Sequence, residues 1–238
     1  MTLPERPDRP RFLTEVLGID GSGFRLMFDV FIRPRKVFAA FMTDDQDRYA
    51  PPIRVWLWIF GLKTLALLAV GGVGGALSRA VAAMPSENFA FLLQPFHIDT
   101  DRLVNLMNNS WDIFEPILVL LLSIPAAFTL ALFARGKRFT HHANIYLSCL
   151  VAASLISVIA VLAVILDRPQ AARYLSPLTV AIFALTFLRG GGGVRYFTTP
   201  IGAVLKTAIL SGVLVLTNTL AGAILMIGLV MWAKHFPA

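Results

Sequence analysis

Cysteine is nearly missing from the 238 residues: Cys149 stands alone inside an apolar run. That excludes an internal disulfide, a CxxC redox pair and a cysteine-based zinc site. Charge is also scarce, with Asp, Glu, Lys and Arg supplying only 15% of the chain. Of the fourteen acids, eight fall within Met1–Ala50, and Glu115 is the one acid inside a long apolar run. A secreted disulfide domain, a coiled coil and a disordered chain are excluded by the same figures.

What fills the space is hydrophobic: 57% of residues, where soluble domains hold roughly 45–50%, with a mean hydropathy of +0.72. The apolar residues fall into long runs, which marks an all-α polytopic membrane protein. Approximate spans are 55–77, 113–134, 144–166, 174–188 and 201–233. Residues 51–238 then form a bundle of about five transmembrane helices behind a cytoplasmic arm, 1–50. The arm's early prolines and acids, with no apolar core before Phe24, argue against a cleaved signal peptide.

Within the arm, residues 24–42 mix Met27, Phe28, Val30, Phe31, Val37, Phe38 and Phe41 with Arg25, Asp29, Arg33, Arg35 and Lys36, broken at Pro34. Aromatic and basic residues on opposing sides suit an amphipathic helix lying in the headgroup plane; packing on the bundle is the alternative. Arg33, Arg35 and Lys36 are the expected contacts to anionic lipid. The net charge of +7 is explained by such clusters beside apolar runs, so no nucleic-acid partner is expected.

Basic residues in short loops set orientation. Arg25, Arg33, Arg35, Lys36, Arg48, Arg54, Arg135, Lys137, Arg138, Arg189 and Arg195 share one side, against Arg79, Arg102, Arg168, Arg173 and Lys234 on the other. Eleven against five predicts a cytoplasmic N-terminus and an outer C-terminus, in a bacterial inner membrane. Trp56, Trp111 and Trp232 stand at expected span ends, where tryptophan prefers the interface. The turn 135–138 makes the spans on either side antiparallel neighbours. Span 174–188 is short, and 201–233 is long enough either to begin outside the bilayer or to break at Thr217-Asn218-Thr219.

The segments Ile32-Arg33-Pro34-Arg35-Lys36-Val37-Phe38 and Tyr49-Ala50-Pro51-Pro52-Ile53-Arg54 resemble the opening of bacterial Yip1-like membrane proteins. The long loop Ser78–Asp112 and the stretched last run depart from that pattern. The resemblance implies a non-enzymatic integral membrane protein with roles in membrane organisation or trafficking, and carries over no catalytic residues.

Lys63 and Glu115 are intramembrane charges and therefore candidates for a functional polar site, together with Asn218. Helical side chains lean toward their own N-terminus, so Lys63 and Glu115 on antiparallel helices are expected to lean apart. Lys206 reads as a snorkelling anchor, and Pro116 and Pro125 as possible kinks of the second span. His141-His142 reads as a cytoplasmic anchor rather than a metal site, since adjacent helical residues point about 100° apart. Gly190–Gly193 lacks the residues of a phosphate-binding loop and reads as a flexible turn. Gly71 and Gly75 give a small-residue face for helix packing.

The leading expectation is a membrane scaffold or adaptor without cofactor, metal or catalytic residues, binding lipid, another membrane protein or a second copy of itself. A transporter or lipid-translocating protein is the alternative, and it requires Lys63, Glu115 and Asn218 to line one polar path. A wet cavity at Lys63 would favour it over the scaffold.

Overall fold

The computed structural model describes residues 21–43, 48–68, 100–134, 136–165, 175–194 and 196–235. Every regular element among them is helical. In chain order these are α1 (Gly21–Ile32), α2 (Pro34–Met42), α3 (Pro52–Leu68), α4 (Thr100–Phe133), α5 (Phe139–Ile165), α6 (Leu175–Gly191), a 3-10 turn (Gly192–Val194) and α7 (Pro200–His235). Four helices, α4 to α7, contain stretches long and apolar enough to cross a membrane. Their outer faces carry exposed Ile113, Ile117, Leu121, Ile124 and Leu132 on α4 and Ile201, Val204, Leu216 and Ile227 on α7. In water such rows would form an apolar patch far beyond the few hundred Å² that soluble monomers tolerate; facing acyl chains, they cost nothing. The chain is membrane-embedded on that ground.

α4, α5, α6 and α7 close a ring in which each packs on the next and α7 returns to α4; α3 lies outside the ring against α5. Pro34 cannot continue α1 and instead occupies the first turn of α2, where its missing N–H is harmless. The resulting α1–α2 pair lies across the ends of α5 and α6. Its aromatic residues do not share one fate. Val37, Phe38 and Phe41 of α2 are fully or almost fully buried in the bundle, whereas Phe24, Phe28 and Ile32, one turn apart on α1, are exposed.

Several expectations are corrected. The second run is part of a helix beginning at Thr100, inside the expected loop Ser78–Asp112, because a helix can extend beyond the apolar slab once its polar residues reach water. That helix runs through Pro116 and Pro125 without interruption. α7 does not break at 217–219. Asn218 Nδ2 and Thr219 Oγ1 donate back to the carbonyls of Leu214 and Val215, at 3.0 and 2.9 Å, so these polar groups satisfy themselves within the helix. The result is a helix of 36 residues, about 54 Å long. Trp56, expected at a span end, is buried in the bundle and donates from Nε1 to Ser154 Oγ at 3.1 Å. Gly71 and Gly75 lie outside the described residues, as does the side chain of Trp111.

Candidate functional site

Helix C-termini expose unpaired carbonyls and a partial negative charge, and the sequence's cations gather where these ends meet. Arg189 Nη1 and Nη2 donate to the carbonyls of Phe31 and Ile32, the end of α1, at 3.0 and 3.4 Å. In return Arg35 Nε donates to the Arg189 carbonyl near the end of α6 at 3.1 Å. His141 Nδ1 donates to Phe41 O at 2.5 Å and Lys137 Nζ to Met42 O at 3.4 Å, closing the end of α2. Lys206 Nζ donates to Phe133 O, at the end of α4, and to Tyr196 O, at 3.3 and 2.8 Å. Lys206 is thus a tie between segments, not a side chain reaching for headgroups. The histidine pair is likewise interior, with His141 and His142 each less than a tenth exposed.

This arrangement leaves a cationic cleft of about 430 Å³, lined by Ile32, Arg33, Pro34, Arg35, Lys36 and Arg189. The three residues expected to meet anionic lipid are together, and Arg189 joins them from α6. Arg33 makes no side-chain capping bond to α2. Among the described residues that line it there is no carboxylate. Asp29, the one acid in residues 21–42, is buried elsewhere and accepts a 2.8 Å hydrogen bond from Tyr49 Oη. Burial, with that bond and the Asp29 charge adding to it, pushes the Tyr49 phenol up to about 12. Ile32 also belongs to an apolar groove of about 500 Å³ with Phe24, Met27, Phe28, Phe31 and Trp58. Cleft and groove therefore adjoin, with Ile32 on their border.

The tetraglycine run holds this geometry. A Cβ on Gly190 would stand 2.6 Å from two ring carbons of Phe38, and one on Gly193 would stand 3.3 Å from Arg35 Cβ. These glycines let α2 press against the end of α6, so the expected flexible turn is a packing seam. The sequence signal was available: four consecutive glycines beside an aromatic-rich helix admit close backbone approach.

A second site lies among the spans. Lys63, Glu115 and Asn218 line one cavity of about 110 Å³ with Trp56, Ser154, Ser157 and Thr179 among its other residues. Lys63 and Glu115, expected to lean apart, both line this one hollow. No ion pair between them is found among the described residues. Tyr196, on the turn before α7, is fully buried, and burial raises its phenol above the ordinary range. Its hydroxyl meets His142 Nδ1 at 2.7 Å.

No family model, curated protein or solved structure matches the chain.

Proposed function

We propose that the chain is a non-enzymatic integral membrane protein that holds an anionic phospholipid at the cytoplasmic leaflet of a bacterial inner membrane. It acts there as a scaffold or adaptor, with five spans, α3 and its continuation being the first, and an outer C-terminus. The observation that supports this reading is the junction at Ile32 between a cleft with four cations and an aromatic groove. A phosphate headgroup suits the first and an acyl chain the second. Each cation near the surface contributes about 1 kcal/mol toward anionic lipid, and the exposed Phe24, Phe28 and Ile32 add apolar burial.

The alternative, a transporter, is favoured by the cavity shared by Lys63, Glu115 and Asn218. Size supports the lipid reading. Small-molecule sites run to about 300–1,000 Å³, which the cleft and groove each reach, whereas the cavity has room for only about three or four waters at roughly 30 Å³ each. A transport reading is thereby confined to water, protons or a small ion.

The test is native mass spectrometry of the whole protein released from nanodiscs of mixed anionic and neutral phospholipid. Retention of anionic lipid is expected, with a loss on the order of tenfold or more in Arg33→Gln/Lys36→Gln, two cations being worth about 2 kcal/mol. Those two residues are chosen because Arg35 and Arg189 also tie helices together. Equal retention by the variant, or no preference for anionic lipid, would refute the proposal.

A further inference from the structure

Within the ring of α4 to α7, α5 and α7 stand on one diagonal. Along it four polar atoms are buried without a hydrogen-bond partner: His142 Nε2, Tyr146 Oη, Thr207 Oγ1 and Ser211 Oγ. They fall in pairs one helical turn apart, two on α5 and two on α7. Along α7, Thr207, Ser211 and Thr217 lie about 10, 17 and 26 Å from its start at Pro200, and Tyr146, whose hydroxyl faces Thr217, stands beside the deepest of them. Tyr146 reaches across the ring. Its aromatic ring lies 5.5 Å from that of Phe183 on α6, and its hydroxyl faces Thr217 on α7 and Ser123 on α4 without closing a hydrogen bond to either.

The face of α7 that carries Thr207, Ser211 and Thr217 continues to Leu214 and Asn218, and these two line the Lys63–Glu115 cavity. At the other end, His142 Nδ1 meets the Tyr196 hydroxyl. Polar side chains thus mark a path from the Tyr196 face to Glu115. The nearby charges are accounted for: Lys206 is held at the mouth on the carbonyls of Tyr196 and Phe133, His141 is bound to Phe41, and Lys63 shares the inner cavity.

An unpartnered buried polar atom costs about 1–3 kcal/mol, and native interiors satisfy such atoms with ordered water. One turn is about 6 Å, a gap that a single water closes with two hydrogen bonds of about 2.8 Å. We propose that these side chains and the waters they bind form a hydrogen-bonded file through which Glu115 exchanges protons with the Tyr196 face. At each link one O–H or N–H bond forms as one breaks, so water at the face loses one proton for each proton that the Glu115 carboxylate gains. No other reactant is consumed. This inference develops the cavity and is independent of the lipid cleft.

The experiment uses the full chain, reconstituted in one orientation in sealed vesicles whose two faces are set at different pH. A hydrophobic carbodiimide, which reacts with protonated carboxyl groups, probes Glu115, and the adduct is quantified by peptide mass spectrometry. Labelling is expected to fall as pH rises on the Tyr196 face and to ignore the pH of the opposite face. After a pH jump, Tyr146→Phe/Thr207→Val should respond on the order of tenfold more slowly, one link being worth about one hydrogen bond. Ser211→Ala, which removes a single oxygen, should also slow the response and provides the reading if the double variant does not fold. Labelling that follows the opposite face, or variants that fold and respond at the wild-type rate, would overturn the proposal.

Discussion

Replacing Gly190 by alanine tests whether the tetraglycine run is a packing seam. The added methyl would lie 2.6 Å from Cδ2 and Cε2 and 2.9 Å from Cζ of Phe38, where carbon atoms rest at about 3.5–4.0 Å. The ring must therefore move by about 1 Å. It has little freedom to do so, being fully buried with the Phe187 ring 6.4 Å away. Overpacking of this kind costs about 1–3 kcal/mol, offset by roughly 1 kcal/mol of improved helix propensity. A net loss of about 1 kcal/mol is expected. Gly192 is the control: a Cβ there meets nothing within 4 Å, so Gly192→Ala should be neutral or stabilising by up to about 1 kcal/mol. Thermal unfolding in detergent should thus place Gly190→Ala below wild type and Gly192→Ala at or above it. Adding Phe38→Leu should recover part of the loss, since residues in contact are not additive. Gly190→Ala melting as high as Gly192→Ala would refute the reasoning.

Two further perturbations follow from the geometry. Tyr49 ionises in the fold only near pH 12, against about 10 when unfolded; its raised value favours the folded state below pH 10, and that contribution is lost as pH rises through 12. Alkaline unfolding should show this step, and Tyr49→Phe should remove it; an unchanged profile would contradict the buried Asp29 contact. Because Lys63 and Glu115 share one cavity, Lys63→Met/Glu115→Gln should be more stable than the two single changes predict by about 1 kcal/mol. Strictly additive melting shifts would show that the two charges do not sense each other.

The sequence was most legible where local chemistry acts alone. Pro34 divides the arm because its ring and missing N–H suit the first turn of α2, and the turn at residues 136–138 makes α4 and α5 neighbours, with Gly136 at a positive φ of 90°. Arg33, Arg35 and Lys36 were visible as a cluster, but Arg189 was not, since it joins them from 153 positions beyond Lys36. Counting cations for orientation also concealed what several of them do: Arg35, Lys137 and Arg189 close the ends of helices other than their own. For Trp56 an interface preference says nothing about its bond to the Ser154 hydroxyl inside the bundle. The convergence of Lys63, Glu115 and Asn218 depends on how α3, α4 and α7 pack around the cavity, which hydrophobic periodicity does not encode. The buried file was missed for a related reason. Glu115 is the one acid inside a long apolar run, and the hydroxyls and imidazole of α5 and α7 converge only once those helices stand on one diagonal.

The central claim is that the exposed edge of α1 sits in the bilayer with the cationic cleft at headgroup level. A spin label placed at Phe28, which is 66% exposed, measures this directly, because the native Cys149 is fully buried and can be replaced beforehand. Relaxation by oxygen and by a water-soluble nickel chelate should place the label about 5–10 Å below the phosphates of anionic vesicles. A label at Phe28 relaxed freely by the nickel chelate and little by oxygen would put α1 in water and contradict the account.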